Sequence, residues 1–152
     1  MGDGSMMDRL KRNKMAVGGT LVALVVLVGA WLLGSDAYEE RLDAILADTE
    51  NLRQVELKHL ELFGEFIGAN AAPRTPDQVS PEPVSWNSNP GFNELSWAPA
   101  HTDEVWASFS VTLEGDGFLV RANCDLDGDG EMARFEASHN QPARRVSERG
   151  VR

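Results

Sequence analysis

The sequence predicts an α+β fold in which one long N-terminal helix, apolar all round in its first half and amphipathic in its second, packs on a small antiparallel sheet. Three observations carry this expectation. Met15–Gly34 runs for about twenty residues without a charged side chain. From Tyr38 onward, apolar residues recur at steps of three and four. Beyond Gly91 the period changes to two, with short Asp/Gly turns between the alternating runs.

The first segment, residues 1–14, is basic, with Arg9, Lys11, Arg12 and Lys14 ahead of the apolar run. A helix of about twenty residues crosses the roughly 30 Å hydrocarbon core of a bilayer. Met15, Leu21, Val25 and Leu32 would anchor it there. Positive flanks stay in the cytoplasm, and Asp36, Glu39, Glu40 and Asp43 follow the run. The expected topology is a single-pass membrane protein, with residues 1–14 inside and residues 35–152 beyond the membrane. Two alternatives stand beside it. A cleaved secretory signal has a shorter apolar core and a small-residue cleavage site, which Trp31-Leu32-Leu33 does not offer. A buried helix of a larger domain would need cover on all sides.

Residues 35–70 continue the span as an amphipathic helix. Leu42, Ile45, Leu46, Leu52, Val55, Leu60, Phe63, Phe66 and Ile67 fall on one stripe, with Leu42, Ile45, Leu52, Val55 and Phe63 as its packing positions. The stop is expected at Gly68–Asn70, with Pro73 beyond. Two helices with a kink at Gly34–Ser35 are the alternative. Residues 71–90 carry Pro73, Pro76, Pro81, Pro83 and Pro90, which forbid a regular helix or central strand and read as a linker. Residues 91–140 form the β head. Val105–Leu113, Phe118–Cys124 and Met132–Ala137 alternate as three strands of a meander. Residues 141–152 are polar and read as a mobile tail.

Composition excludes some functions. The formal net charge is −10, and the basic groups of residues 1–14 make the remainder more acidic still. Such a surface repels nucleic acid and favours cations, or serves solubility alone. The one cysteine, Cys124, cannot form an internal disulfide and reads as a buried small hydrophobe, so the head holds by packing. No enzyme is expected. His59, His101 and His139 stand apart from any nucleophile signature, and Asp103 and Glu104 are adjacent carboxylates rather than an acid–base pair. Trp86, Trp97 and Trp106 read as core anchors, with a sugar-binding surface as the alternative.

One loop carries chemistry. Asp125-Leu126-Asp127-Gly128-Asp129-Gly130-Glu131 places carboxylates at alternate positions, with glycines that let the chain curl. Hard cations take several oxygens at about 2.3–2.6 Å, so Asp125, Asp127, Asp129 and Glu131 are candidate Ca²⁺ ligands, or the loop is a tight turn that needs no ion. The string through Glu136 satisfies an EF-hand pattern. That motif requires flanking helices, whereas both flanks here alternate as strands, and Glu136 would lie about 16 Å along a strand from Glu131.

The layout resembles type IV pilin-like proteins. The run Gly91-Phe92-Asn93-Glu94-Leu95-Ser96-Trp97-Ala98-Pro99, then Val105–Val111, then Asp125-Leu126-Asp127-Gly128-Asp129-Gly130, then Phe135, is similar in order to pilin-like proteins of deltaproteobacterial type. The resemblance implies a membrane-anchored structural subunit, a divergent pilin or a component of a pilus or type II secretion-like assembly. Its partners would be the bilayer and other pilin-like subunits, joined by helix–helix packing into a filament, with no nucleic acid. The head of the chain departs from the family pattern: with cleavage after Gly18 or Gly19 the fifth residue is Ala23 or Leu24, where those proteins carry Glu. The alternative function is an exported, membrane-tethered binding module with a cation-binding loop, which does not polymerise.

Overall fold

A computed structural model describes residues 36–147. Met15, Leu21, Val25 and Leu32, the apolar run they belong to and the Gly34–Ser35 step lie outside those residues. Among the described residues no helix is long and apolar enough to cross a membrane. Two compact units divide the chain, Met1–Glu39 and Glu40–Arg152, and the second holds every strand among the described residues. The fold is α+β, with one long helix and a five-stranded antiparallel sheet.

Helix α1 occupies residues 36–63 of the described chain, about 40 Å at 1.5 Å per residue. Leu42, Ile45, Thr49, Leu52 and Glu56 are all buried, and they step by three and four along one face. Leu42, Ile45 and Leu52, three of the expected packing positions, are among these buried residues. Val55 is only half-buried, because the inward position beside it belongs to Glu56. Phe63 is 68% exposed, because the stripe outruns its cover. The helix also stops before the expected Gly68–Asn70. Gly64 turns left-handed at φ +83° and its N–H donates to the Leu60 carbonyl at 2.8 Å, a glycine C-cap. Phe66 continues the apolar spacing in sequence only; it leaves the helix and stacks edge-on against Phe118, 4.8 Å between ring centres.

The sheet runs β1 (Ala69–Ala72), β2 (Ala107–Glu114), β3 (Gly117–Cys124), β4 (Ala133–Ser138) and β5 (Gln141–Arg145), in that spatial order. The meander of β2, β3 and β4 is the one the alternation predicts. Its register lines up Ala107, Cys124 and Ala133, then Phe109, Ala122 and Phe135, then Val111, Val120 and Ala137, on the face beneath α1. All nine are buried. Small residues beside Phe and Val let the helix stripe interdigitate with the sheet.

Two corrections concern the edges. The mobile tail expected from residue 141 is β5 as far as Arg145, paired with β4. Pro142 is tolerated because β5 is an edge strand. The linker expected over residues 71–90 is also structured, and the β head accordingly begins well before residue 91. It starts within β1, passes through a 3₁₀ turn at Pro76–Gln78 and forms the Val84–Val105 bridge. Its Arg74 carbonyl accepts from the Ser108 hydroxyl at 2.7 Å, which covers the outer face of β2 and buries Ser108.

A short helix, α2 (Pro90–Glu94), seals the β1 edge. Asn89 caps it, accepting from the Gly91 and Phe92 N–H groups, and donates to the Asn70 carbonyl at 2.7 Å. Gly91 is required here: a Cβ would meet the Gly68 carbonyl and lie 2.8 Å from the Ala69 Cα. Phe92, Leu95, Trp97 and Pro99 all turn inward. The Trp97 ring packs against Phe92, Trp86 and Phe109, with centres 5.2–5.4 Å apart. The tryptophans at 86 and 97 are core anchors, and the Trp106 ring is covered by Arg41 at 3.9 Å.

Polar side chains fix α1 on both flanks. Asp48 accepts from the Ala100 N–H and Asn51 from the Trp97 indole. On the other side Glu50 accepts from the Ala143 N–H at 2.8 Å, and Arg53 donates to the Ser138 carbonyl at 2.7 Å. Thr49 satisfies its hydroxyl within the helix, on the Ile45 carbonyl. Glu56 is less well served. One oxygen accepts from the Ile67 N–H at 3.1 Å; the other is buried without a hydrogen-bond partner. Burial pushes its carboxyl up to about 7, against the lowering effects of the Ile67 bond and of His59.

Two substitutions test this packing. Glu56 has a folded-state pKa above its unfolded value, so the fold favours the protonated acid and loses stability as pH rises from the unfolded pKa through about 7. Glu56→Gln should match wild type near about pH 4 and exceed it by about 3 kcal/mol near about pH 9, read by urea denaturation at each pH. Gly91→Ala should cost about 1–3 kcal/mol in the same assay, because the clash is with backbone.

Candidate metal centre in the β3–β4 loop

β3 ends at Cys124 and β4 begins at Ala133, so the acidic loop joins two antiparallel strands. It is therefore no EF-hand, and Glu136 sits on β4, paired with Arg121 at 3.0 Å. Asp125 is the buried centre of the loop. One of its oxygens accepts from the Gly128 N–H at 2.8 Å and the other from the Gly130 N–H at 3.2 Å. Both glycines are left-handed, at φ +75° and +86°, where an L side chain would be strained. Gly128 also lies against Pro81, whose Cγ would be 3.0 Å from an added Cβ. The proline-rich segment thus backs the loop.

Carboxylate oxygens of Asp125, Asp127 and Asp129 all lie within 4.8 Å of one another. Asp127 and Asp129 are exposed and Asp125 is buried, so the group opens to solvent on one side. Each exposed carboxylate takes a backbone N–H, Asp127 that of Asp129 and Asp129 that of Glu131. Desolvation raises the Asp127 carboxyl above its ordinary value, and the neighbouring Asp129 and Asp125 charges add to the rise. Of the four expected ligands, three come together. Glu131 contributes its N–H to the loop, and its carboxylate is not among the converging atoms.

Comparison with family models, with curated proteins and with solved structures returns no match for this chain. The loop's chemistry therefore rests on its own geometry. Three carboxylates facing one point offer hard oxygen donors of the kind Ca²⁺ takes, with further places left for carbonyl oxygens or water. Nothing comparable gathers elsewhere among the described residues. Cys124, next to the loop, is fully buried, and burial pushes its thiol up to about 12, so it packs as a hydrophobe.

The loop's two kinds of aspartate should separate in a stability assay without added metal. Asp125→Ala strands two backbone donors and should cost about 2–3 kcal/mol. Asp127→Ala removes an exposed carboxylate with a long 3.5 Å contact and should change stability by about 0.5 kcal/mol or less. Thermal unfolding of both variants checks this.

Proposed function

We propose that the protein is a membrane-anchored, pilin-like structural subunit and not an enzyme. The observation that carries the reading is one long helix whose 42–56 stripe lies under an antiparallel sheet, preceded in sequence by the uncharged run Met15–Gly34. On this reading the run anchors the chain in the bacterial inner membrane, and the head stands on the far side. Neighbouring subunits would pack through their helices, as a component of a pilus or of a type II secretion-like assembly. The motif Gly91-Phe92 to Pro99 supports the likeness, because its Phe92, Leu95, Trp97 and Pro99 are the positions buried in the head.

A second reading is favoured by a separate observation, the convergence of Asp125, Asp127 and Asp129. The head would then be a membrane-tethered module whose loop takes Ca²⁺, without polymerising. Both can be tested on protein taken from its native membrane. N-terminal sequencing there should find the apolar run retained or trimmed at Gly18 or Gly19, and electron microscopy should find filaments; a chain lacking the run, present only as monomer, contradicts the subunit reading. Calorimetry with Ca²⁺ on the full chain should give heat that Asp127→Asn with Asp129→Asn abolishes. No heat from wild type removes the second reading.

A further inference from the structure

The helix stripe and the sheet's inner face do not end together with their mutual cover. Beyond Glu56 the same helical face runs on to Leu60 and Phe63, which are 38% and 68% exposed. Beyond Val111 the same sheet face runs on to Leu113, 51% exposed. Phe66 fills part of the opening by stacking on Phe118, the cross-strand partner of Leu113. The Leu113 side chain lies 3.5 Å from where a Cβ on Gly68 would stand, so helix end, following loop and β2 end share one tip of the head. Leu60, Phe63 and Leu113 are three of the five large apolar side chains exposed among the described residues. Such clustering at one place marks an interaction surface.

The charged groups at this tip are mostly acidic. Glu61 and Glu65 flank the helix end, and Glu114 and Asp116 form the β2–β3 turn, all exposed. Lys58 is paired with Glu61 at 2.8 Å and Arg53, at the β4 end, with Glu50; His59 stacks on the Phe63 ring, and the His139 ring lies where a Cβ on Gly117 would stand. The C-terminal end of α1 adds the negative end of its dipole. An anionic membrane surface would be repelled here. Arg41 lies over Trp106, next to the first residue of β2, and Val146 donates to the Arg134 carbonyl at 2.9 Å, both at the opposite end of the sheet.

We propose that this tip docks a basic amphipathic segment of another protein. Apolar side chains of the segment extend the open core between Phe63 and Leu113, and its Lys or Arg groups meet Glu61, Glu65, Glu114 and Asp116. The proposal stands whether or not the chain forms filaments.

The test uses the full chain in detergent micelles and a labelled helical peptide of leucine and lysine, followed by fluorescence anisotropy. Phe63→Ser with Leu113→Ser should weaken binding by about tenfold or more, and so should Glu61→Lys with Glu114→Lys. Glu82→Lys with Asp103→Lys makes the same charge change at the opposite end and should alter binding by about twofold or less. A leucine–glutamate peptide should not bind. All the substituted side chains are exposed, and unchanged thermal unfolding shows that each variant folds. Equal weakening by the distant charge pair, or insensitivity to the Phe63 and Leu113 changes, overturns the proposal. Two further results do the same: self-association lost on the Phe63 and Leu113 changes, which makes the occupant a second copy, and tip-dependent binding to phosphatidylglycerol vesicles, which makes it a lipid surface.

Discussion

Everything in the head depends on burying one helix stripe against one sheet face. Leu42, Ile45, Thr49, Leu52 and Glu56 supply the stripe, and three rows of small and aromatic residues across β2, β3 and β4 receive it. No disulfide is available, since Cys124 is the single cysteine. A small domain without cross-links must take its stability from such packing. The polar flanking bonds from Asp48, Glu50, Asn51 and Arg53 then fix how the helix lies, because Asp48 and Asn51 hold the segment between α2 and β2 while Glu50 and Arg53 hold β5 and the end of β4. The core tolerates one conspicuous cost, the Glu56 carboxyl, whose second oxygen is buried without a partner.

What could be read from the residues depended on whether the determining physics was local. The three meander strands alternate because one face carries the apolar core: Val111, Val120 and Phe135 are buried on it, while on the other face burial is confined to Ser108 and Asn123 at one end. The Asp/Gly loop was equally legible, since alternating carboxylates with left-handed glycines encode their own turn. The edge strands were not. Ala69–Ala72 and Gln141–Arg145 carry no alternation of large apolar residues, and they become strands only because β2 and β4 offer them partners. The helix stripe was legible in its leucines and not in its polar members. Steps from Leu42, Ile45 and Leu52 point to positions 49 and 56, and Thr and Glu there disguised two inward positions. Glu56 is the residue a hydrophobic count assigns to solvent, and Val55 beside it took the inward role in that count.

The helix end teaches a related point. Phe63, Phe66 and Ile67 keep helical spacing in sequence, yet Gly64 ends the helix, because a left-handed glycine cap satisfies the Leu60 carbonyl. The segment after it folds back beneath the β2 end, tied by the bond from the Ile67 N–H to Glu56. The same early stop leaves Leu60, Phe63 and Leu113 uncovered, so the surface at the tip is a direct consequence of where the helix ends. At the other end of the sheet, the acidic loop is held by Asp125 and backed by Pro81. The head thus carries an apolar patch at one end of the sheet and an acidic loop at the other.

The central claim is that the stripe and the sheet form one core, so helix and sheet should open together. Native-state hydrogen exchange of the full chain measures this directly. Amides of Ile45, Leu52 and Glu56 should exchange with the same opening free energy, and the same denaturant dependence, as those of Phe109 and Val120. Helix amides that exchange orders of magnitude faster while the sheet stays protected would contradict it.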